Sequence, residues 1–149
     1  MQDIWEELNK LYESTEITVK ITNDTVPGST KVIFYKDNIE IGCASVLDYL
    51  AHNDFVYNVE VKKELHGQGY GKYIMSYMLE HYPIEWLEVN KDNIIAQNLY
   101  TKFGFKIICN TKVEEEGKSV IRLIMSNREG SKKQIKDELL KAFDEKETK

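Results

Sequence analysis

The sequence predicts an α+β fold, a mixed and mostly antiparallel sheet with helices on it, from three observations. Between Thr15 and Val61 four strand-like segments are separated by turn residues, the first of them alternating apolar and polar side chains at the period of a half-buried strand. A strand, a glycine loop, a helix, a strand, a helix and a strand then follow, so antiparallel strands flank a βαβ unit. Finally, 149 residues with 42% hydrophobic and 30% charged content fit one packed domain. Only 8 Gly and 2 Pro exclude collagen-like, low-complexity and wholly disordered chains.

Each element has a local reason. Asp3 can cap a short helix whose apolar positions Ile4, Leu8, Leu11 and Tyr12 recur at three- and four-residue steps. Thr15 to Thr22 alternates Ile17, Val19 and Ile21 with polar residues and reads as a strand, broken by Pro27 and Gly28. Lys31 to Lys36 and Ile39 to Tyr49 form a hairpin around Asp37-Asn38, a dipeptide that tolerates tight-turn geometry. Phe55 to Val61 is the fourth strand. Tyr70 to His81 is a helix with Tyr70, Tyr73, Ile74, Tyr77 and Met78 on one stripe, stopped by Pro83. Ile84 to Val89 is a strand, Asn93 to Lys102 a helix, and Phe105 to Val113 with Ser119 to Ser126 two strands around Gly117.

From Ser131 onward Ile135, Leu139, Leu140 and Phe143 form a narrow apolar seam among Lys, Asp and Glu. This predicts an amphipathic helix over 128–149 appended to a domain over 1–127. The seam either docks on its own domain or supports a homodimer or other partner contact.

Composition excludes several functions. Apolar runs of about four, such as Val32 to Tyr35, fall short of the roughly 18 residues that span a bilayer. Met1 to Lys10 lacks the basic and apolar regions of a secretory signal, so a cytoplasmic protein is expected. Cys43 and Cys109 stand far apart with no CxxC and no His at ligand spacing, which indicates buried thiols and no metal site. A net charge of −5 with dispersed Lys and Arg argues against a nonspecific nucleic-acid binder and suits a cationic or amine partner.

The chemistry-bearing segment is His66-Gly67-Gln68-Gly69-Tyr70-Gly71-Lys72, between a strand and a helix start, where backbone N–H groups converge beside a positive dipole. That is an anion site, open to three readings. A Walker loop fails twice, because His66 stands five residues before Gly71 and Tyr73 follows Lys72. A dinucleotide loop lacks its third glycine, replaced by Lys72, although Glu88 does lie 21 residues after Gly67. An acyl-CoA loop remains.

Val59-Glu60-Val61, the glycine loop, Leu87-Glu88-Val89 and then Asn93, Ala96, Tyr100, Gly104 and Phe105 stand in one register. In that pattern the chain resembles the GNAT superfamily of acetyl-CoA-dependent N-acetyltransferases, and in motif the ribosomal-protein-type N-terminal acetyltransferases. The resemblance covers Lys31 to about Ser126 and is most specific from Tyr57 to Lys106. It implies a GNAT fold with helices on both faces and parallel, splayed fourth and fifth strands. Backbone groups of Val59, Glu60 and Val61 would then pair with pantetheine as if it were another strand. Gly67, Gln68, Gly69, Tyr70, Gly71 and Lys72 would hold the pyrophosphate through main-chain N–H groups, with glycine where a Cβ would block close approach. Lys72 either adds charge there or is a solvated helix lysine. The sequence departs from the family pattern where His66 replaces an Arg or Gln and Lys63 a Pro. His66 either assists the pyrophosphate or serves only the loop.

The resemblance also implies acetyl transfer from acetyl-CoA, as cosubstrate, to a primary amine by direct attack in a ternary complex. Such an amine, with pKa about 10.4, must first lose a proton. Glu88, sharing a strand face with Ile84 and Trp86, is the expected general base, with Glu60 or a bound water as alternatives. Tyr100 matches the family's tyrosine and is the expected general acid toward the departing thiolate; its other reading is a core aromatic. Asn93 reads both as helix cap and as CoA contact. Only Asn23 to Ser29 separates the first two strands, so the helices that wall the acceptor pocket in many relatives have no counterpart there. The acceptor is a small-molecule amine or a protein or peptide amine. The competing reading is a non-catalytic acyl-CoA-binding module that acts through a protein partner.

Overall fold

The computed structural model describes residues 4–6, 17–23, 28–50 and 53–147. Residues 4–6 are helical, and the rest of the amino-terminal helix expected there lies outside the described residues. The chain forms two compact units, Met1–Leu47 with Val56–Pro83, and Asp48–Phe55 with Ile84–Lys149.

The first unit is built on β1 (Ile17–Asn23), β2 (Ser29–Lys36), β3 (Ile39–Leu50) and β4 (Asn53–Val61), in that spatial order, with the helix α1 (Tyr70–His81). β1 pairs antiparallel with β2 from Ile17↔Lys36 to Asn23↔Thr30. β2 and β3 make the expected hairpin, closed by Lys36↔Ile39. Asp37 and Asn38 have φ of 53° and 66°, the two left-handed positions that a two-residue hairpin matched to strand twist requires. β2, β3 and β4 run one or two residues longer than expected, because a ladder continues once its neighbour is in place, while β1 ends one residue later than expected and residues 15 and 16 of its expected start lie outside the described residues.

One face of this sheet is closed by α1. Its stripe buries Tyr70, Tyr73, Ile74, Met75 and Met78. Phe34 of β2 stands edge-on to Tyr73 and Tyr77, with ring centroids 6.1 and 5.2 Å away. Gly42 of β3 makes this packing possible: a Cβ there would lie 2.3 Å from the Glu60 carbonyl oxygen and 2.9 Å from Ile74 Cδ1. The alternation of β3 gives no hint of this contact, although a glycine inside a strand is itself a sign of close backbone approach. The Lys62 amide donates to the Ile41 carbonyl at 2.9 Å and fixes where β4 ends.

The second unit carries β5 (Ile84–Asn90), α2 (Ile94–Lys102), β6 (Lys106–Glu115), β7 (Lys118–Ser126) and α3 (Lys132–Glu147). Its strands stand in the order β5-β7-β6. Both pairings are antiparallel. The β6–β7 hairpin turns at Glu116-Gly117, again with two left-handed residues, φ 51° and 79°. Ser131 and Gln134 form a reciprocal cap: Ser131 Oγ accepts from the Gln134 amide at 3.2 Å, and Gln134 Oε1 accepts from the Ser131 amide at 3.1 Å.

The seam of α3 is used within the chain. Ile135 and Leu139 are fully buried while Leu140 stays exposed; the side chain of Phe143 lies outside the described residues. Arg128 links the helix to β5, pairing with Glu138 at 2.9 Å and Glu85 at 3.3 Å while lying over the Trp86 ring. Among the described residues no helix is long and apolar enough to cross a membrane.

Two substitutions test this packing. Gly42→Ala, which must push backbone aside, is expected to lower stability by about 1–3 kcal/mol. Leu139→Ala, which empties the α3 contact, is expected to cost about 2–5 kcal/mol. Urea unfolding measures both, and a Leu139→Ala protein as stable as wild type would show that α3 does not dock in solution.

Candidate active site

The first unit presents a helix start prepared for an anion. β4 ends at Val61, the 3-10 turn Lys63–Leu65 follows, and Gly67 and Gly69 take left-handed φ of 83° and 88°. Gly69 is the residue preceding α1, no side chain caps that helix, and its first turn holds no acid. The positive end of the dipole is therefore not neutralised by a local carboxylate. A Cβ at Gly67 would meet nothing within 4 Å. Glycine is thus demanded there by the backbone conformation and not by crowding.

The loop residues divide by what they contact. Tyr70 is buried, and its hydroxyl accepts from Lys36 Nζ at 3.2 Å, so its backbone and not its ring belongs to the loop surface. Gln68 is exposed, and Gly71 and Lys72 are half-buried in the first helical turn. His66 Nε2 donates to the Val61 carbonyl at 2.8 Å, which places the ring proton on Nε2 and ties the loop back to β4. One backbone group that the sequence reading left free for a ligand is therefore already engaged; the carbonyl keeps a second lone pair. Val59 and Val61 are half-buried, and Glu60 is exposed. Lys62 is paired with Glu40 at 2.6 Å, and that hydrogen bond holds its ammonium above the usual lysine range.

The second unit carries the acid–base candidates. Alternation along β5 puts Glu88 on the face of the buried Ile84 and Trp86, with Glu88 itself half-buried. Burial raises the Glu88 carboxyl above the usual carboxylate range, and the Arg122 guanidinium partly opposes this. Arg122 Nη1 lies 3.7 Å from Glu88 Oε2, and Nη2 contacts Glu115. Tyr100 on α2 is buried, which pushes its phenol well above the ordinary tyrosine range. Asn93 caps α2, its Oδ1 accepting from the Ala96 amide at 3.1 Å. Gln97 Nε2 donates to the Lys91 carbonyl at 2.8 Å and steadies the β5–α2 turn.

Arg122 and Lys36 were not singled out by sequence reasoning. Arg122 could have been: it is the lone charge between Ile121 and Leu123 in the apolar run of β7. Lys36 gives no such signal, since its neighbour Tyr70 lies 34 residues away. Among the described residues no three His, Cys, Asp or Glu side chains are grouped to hold a metal ion.

Residues 1–105 match the family described as Acetyltransferase (GNAT). No curated protein matches the chain. Solved structures similar to it include the ribosomal-protein alanine N-acetyltransferase of Escherichia coli, at 14% identity and a TM-score of 0.61 over 78% of this chain and 97% of that one. A GNAT acetyltransferase from Elizabethkingia anophelis, solved with acetyl-CoA bound, matches at 14% and 0.58 over 73% and 95%. A Vibrio cholerae spermidine N-acetyltransferase chimera matches at 16% and 0.57 over 68% of each chain. At these identities the solved structures establish the α+β fold, and the match over residues 1–105 establishes the rest: the chain belongs to the GNAT acetyltransferase family.

Proposed function

We propose that the protein transfers an acetyl group from acetyl-CoA to a primary amine by direct attack in a ternary complex. The observation that carries this reading is the uncapped start of α1, preceded by left-handed Gly67 and Gly69, with no atom within 4 Å of where a Gly67 Cβ would stand. Main-chain N–H groups from Gly67 to Lys72 bind the diphosphate of acetyl-CoA, and the backbone of Val59–Val61 pairs with its pantetheine amides. Asn93 contributes to the same substrate through the face of its amide not used in capping.

Glu88 takes the proton. An ammonium acceptor gives one proton to its carboxylate, and the neutral nitrogen then attacks the thioester carbonyl carbon. As the C–S bond breaks, the hydroxyl of Tyr100 donates a hydrogen bond to the departing sulfur. A phenol raised by burial is a poor source of a whole proton for a thiolate whose conjugate acid titrates near about 8.5. The nitrogen, acidic once it has added to the carbonyl, supplies that proton instead. Glu60, the other candidate for base, is exposed on β4.

The acceptor is an amine that is cationic before reaction, which the net charge of −5 favours electrostatically. The similar solved enzymes act, by their descriptions, on a ribosomal-protein alanine and on spermidine. A small polyamine and a protein amino terminus are thus both represented.

Thiol release and mass spectrometry on a panel of amines test the reading. Glu88→Gln should lower kcat/KM by about 10²–10⁴ and Tyr100→Phe by a smaller factor, both retaining acetyl-CoA binding. Because burial raises Glu88, kcat/KM should increase with pH through a midpoint above that of an ordinary glutamate, and this limb should vanish in Glu88→Gln. Full activity in Glu88→Gln removes it as the base. Tight coenzyme binding with no acetyl transfer to any amine would favour the non-catalytic module.

A further inference from the structure

The β6–β7 hairpin carries an arginine that neither the anion loop nor the thioester chemistry uses. Cross-strand register sets Thr111, Arg122 and Asn90 in one row and Cys109, Ile124 and Glu88 in the next, so Arg122 and Glu88 share a face and stand diagonally. Its guanidinium touches Glu115 with Nη2 while Nη1 stays 3.7 Å from Glu88 Oε2. A guanidinium presents its donors as a rigid fork, so one head can serve two carboxylates at once, as a lysine cannot. The two contacts are unequal. The close one anchors the arginine on the hairpin, and the longer one leaves the Glu88 oxygen short of a full charge-assisted hydrogen bond.

We propose that Arg122 is the positioning residue of the base, its guanidinium anchored on Glu115 and orienting the Glu88 carboxylate without occupying the lone pair that accepts the proton. This rests on Glu88 acting as base, but the coupling of the two side chains is a property of the free protein. Partly exposed ion pairs of this kind add little to folding, so stability is a weak reason for an arginine within the apolar run from Val120 to Met125. Across β7 and then β6 in this unit, the charged or titratable groups on the same face are Lys118 and Arg122 of β7 and Lys106, Cys109 and Glu115 of β6, with Lys106 turned to the Gly130 carbonyl. Lys136 of α3 acts on Cys109, and Arg122 is the charge that acts on Glu88, countering the effect of burial. The guanidinium thereby keeps the carboxylate ionised, hence basic, toward lower pH than burial alone would allow.

The test is an NMR titration of the Glu88 side-chain carboxyl in the substrate-free protein, as wild type, Arg122→Gln and Arg122→Lys, beside the pH profile of kcat/KM. Arg122→Gln should shift the Glu88 midpoint upward and carry the acid limb of kcat/KM with it. Arg122→Lys, which keeps the charge and loses the fork, should return the midpoint toward wild type. An unmoved midpoint in folded Arg122→Gln overturns the proposal. Should that variant fail to fold, Glu115→Gln replaces it: freeing the anchor must move the Glu88 midpoint, and an unmoved one is equally fatal. Failure of the underlying reading looks different, as an intact Arg122–Glu88 coupling with undiminished activity in Glu88→Gln.

Discussion

The constraint on which the rest depends is the conformation of Gly69 at the entry to α1. A left-handed residue without a side chain starts this helix, so nothing local caps its first turn and the dipole ends in open loop. Most helices of a small domain spend a Ser, Thr, Asp or Asn on that position, as α2 does with Asn93 and α3 with Ser131. The contrast within one chain is informative. Of α1, α2 and α3, two are capped for stability and α1 surrenders that stabilisation, of the order of 1 kcal/mol, at the place proposed above to receive a diphosphate.

The surroundings of that helix start are arranged to keep it in place. Gly42 lets β4 and Ile74 approach β3 closely, Phe34 is wedged between two tyrosines of α1, and His66 ties the loop to the end of β4. The loop is therefore held from both sides by ordinary packing and hydrogen bonding. The chemical groups are of a different kind. Glu88 and Tyr100 are both displaced toward their protonated forms by burial, and only Glu88 has an opposing cation. That asymmetry fits the roles proposed for them, a carboxylate that exchanges a proton and a phenol that keeps one.

Much of the fold was legible in the sequence because its signals are local. The Asp37-Asn38 and Gly117 turns, the α1 stripe and the Asn93 cap each follow from a few adjacent residues, and the structure reproduces them, whereas of the α3 seam it buries Ile135 and Leu139 and leaves Leu140 exposed. What was not legible depends on register between distant segments. Arg122 meets Glu88 only because β7 pairs with β5, and Lys36 meets Tyr70 only because β2 lies under α1. His66 shows the same limit from another side: its position in the loop was plain, whereas its bond to Val61 depended on how the 3-10 turn folded back. The roles proposed for Glu88 and Tyr100 came from family resemblance and not from spacing, and their burial depends on packing that no local pattern shows.

The most direct measurement of the central claim is the change in backbone amide resonances of the loop when coenzyme A is added to the isotope-labelled protein. Hydrogen bonding to a diphosphate should move the amides of Gly67, Gly69 and Gly71 strongly downfield, at a coenzyme concentration that also raises thermal stability. If coenzyme A bound and left those amides where they were, the glycine-led helix start would not be the phosphate cradle, and the account built on it would be wrong.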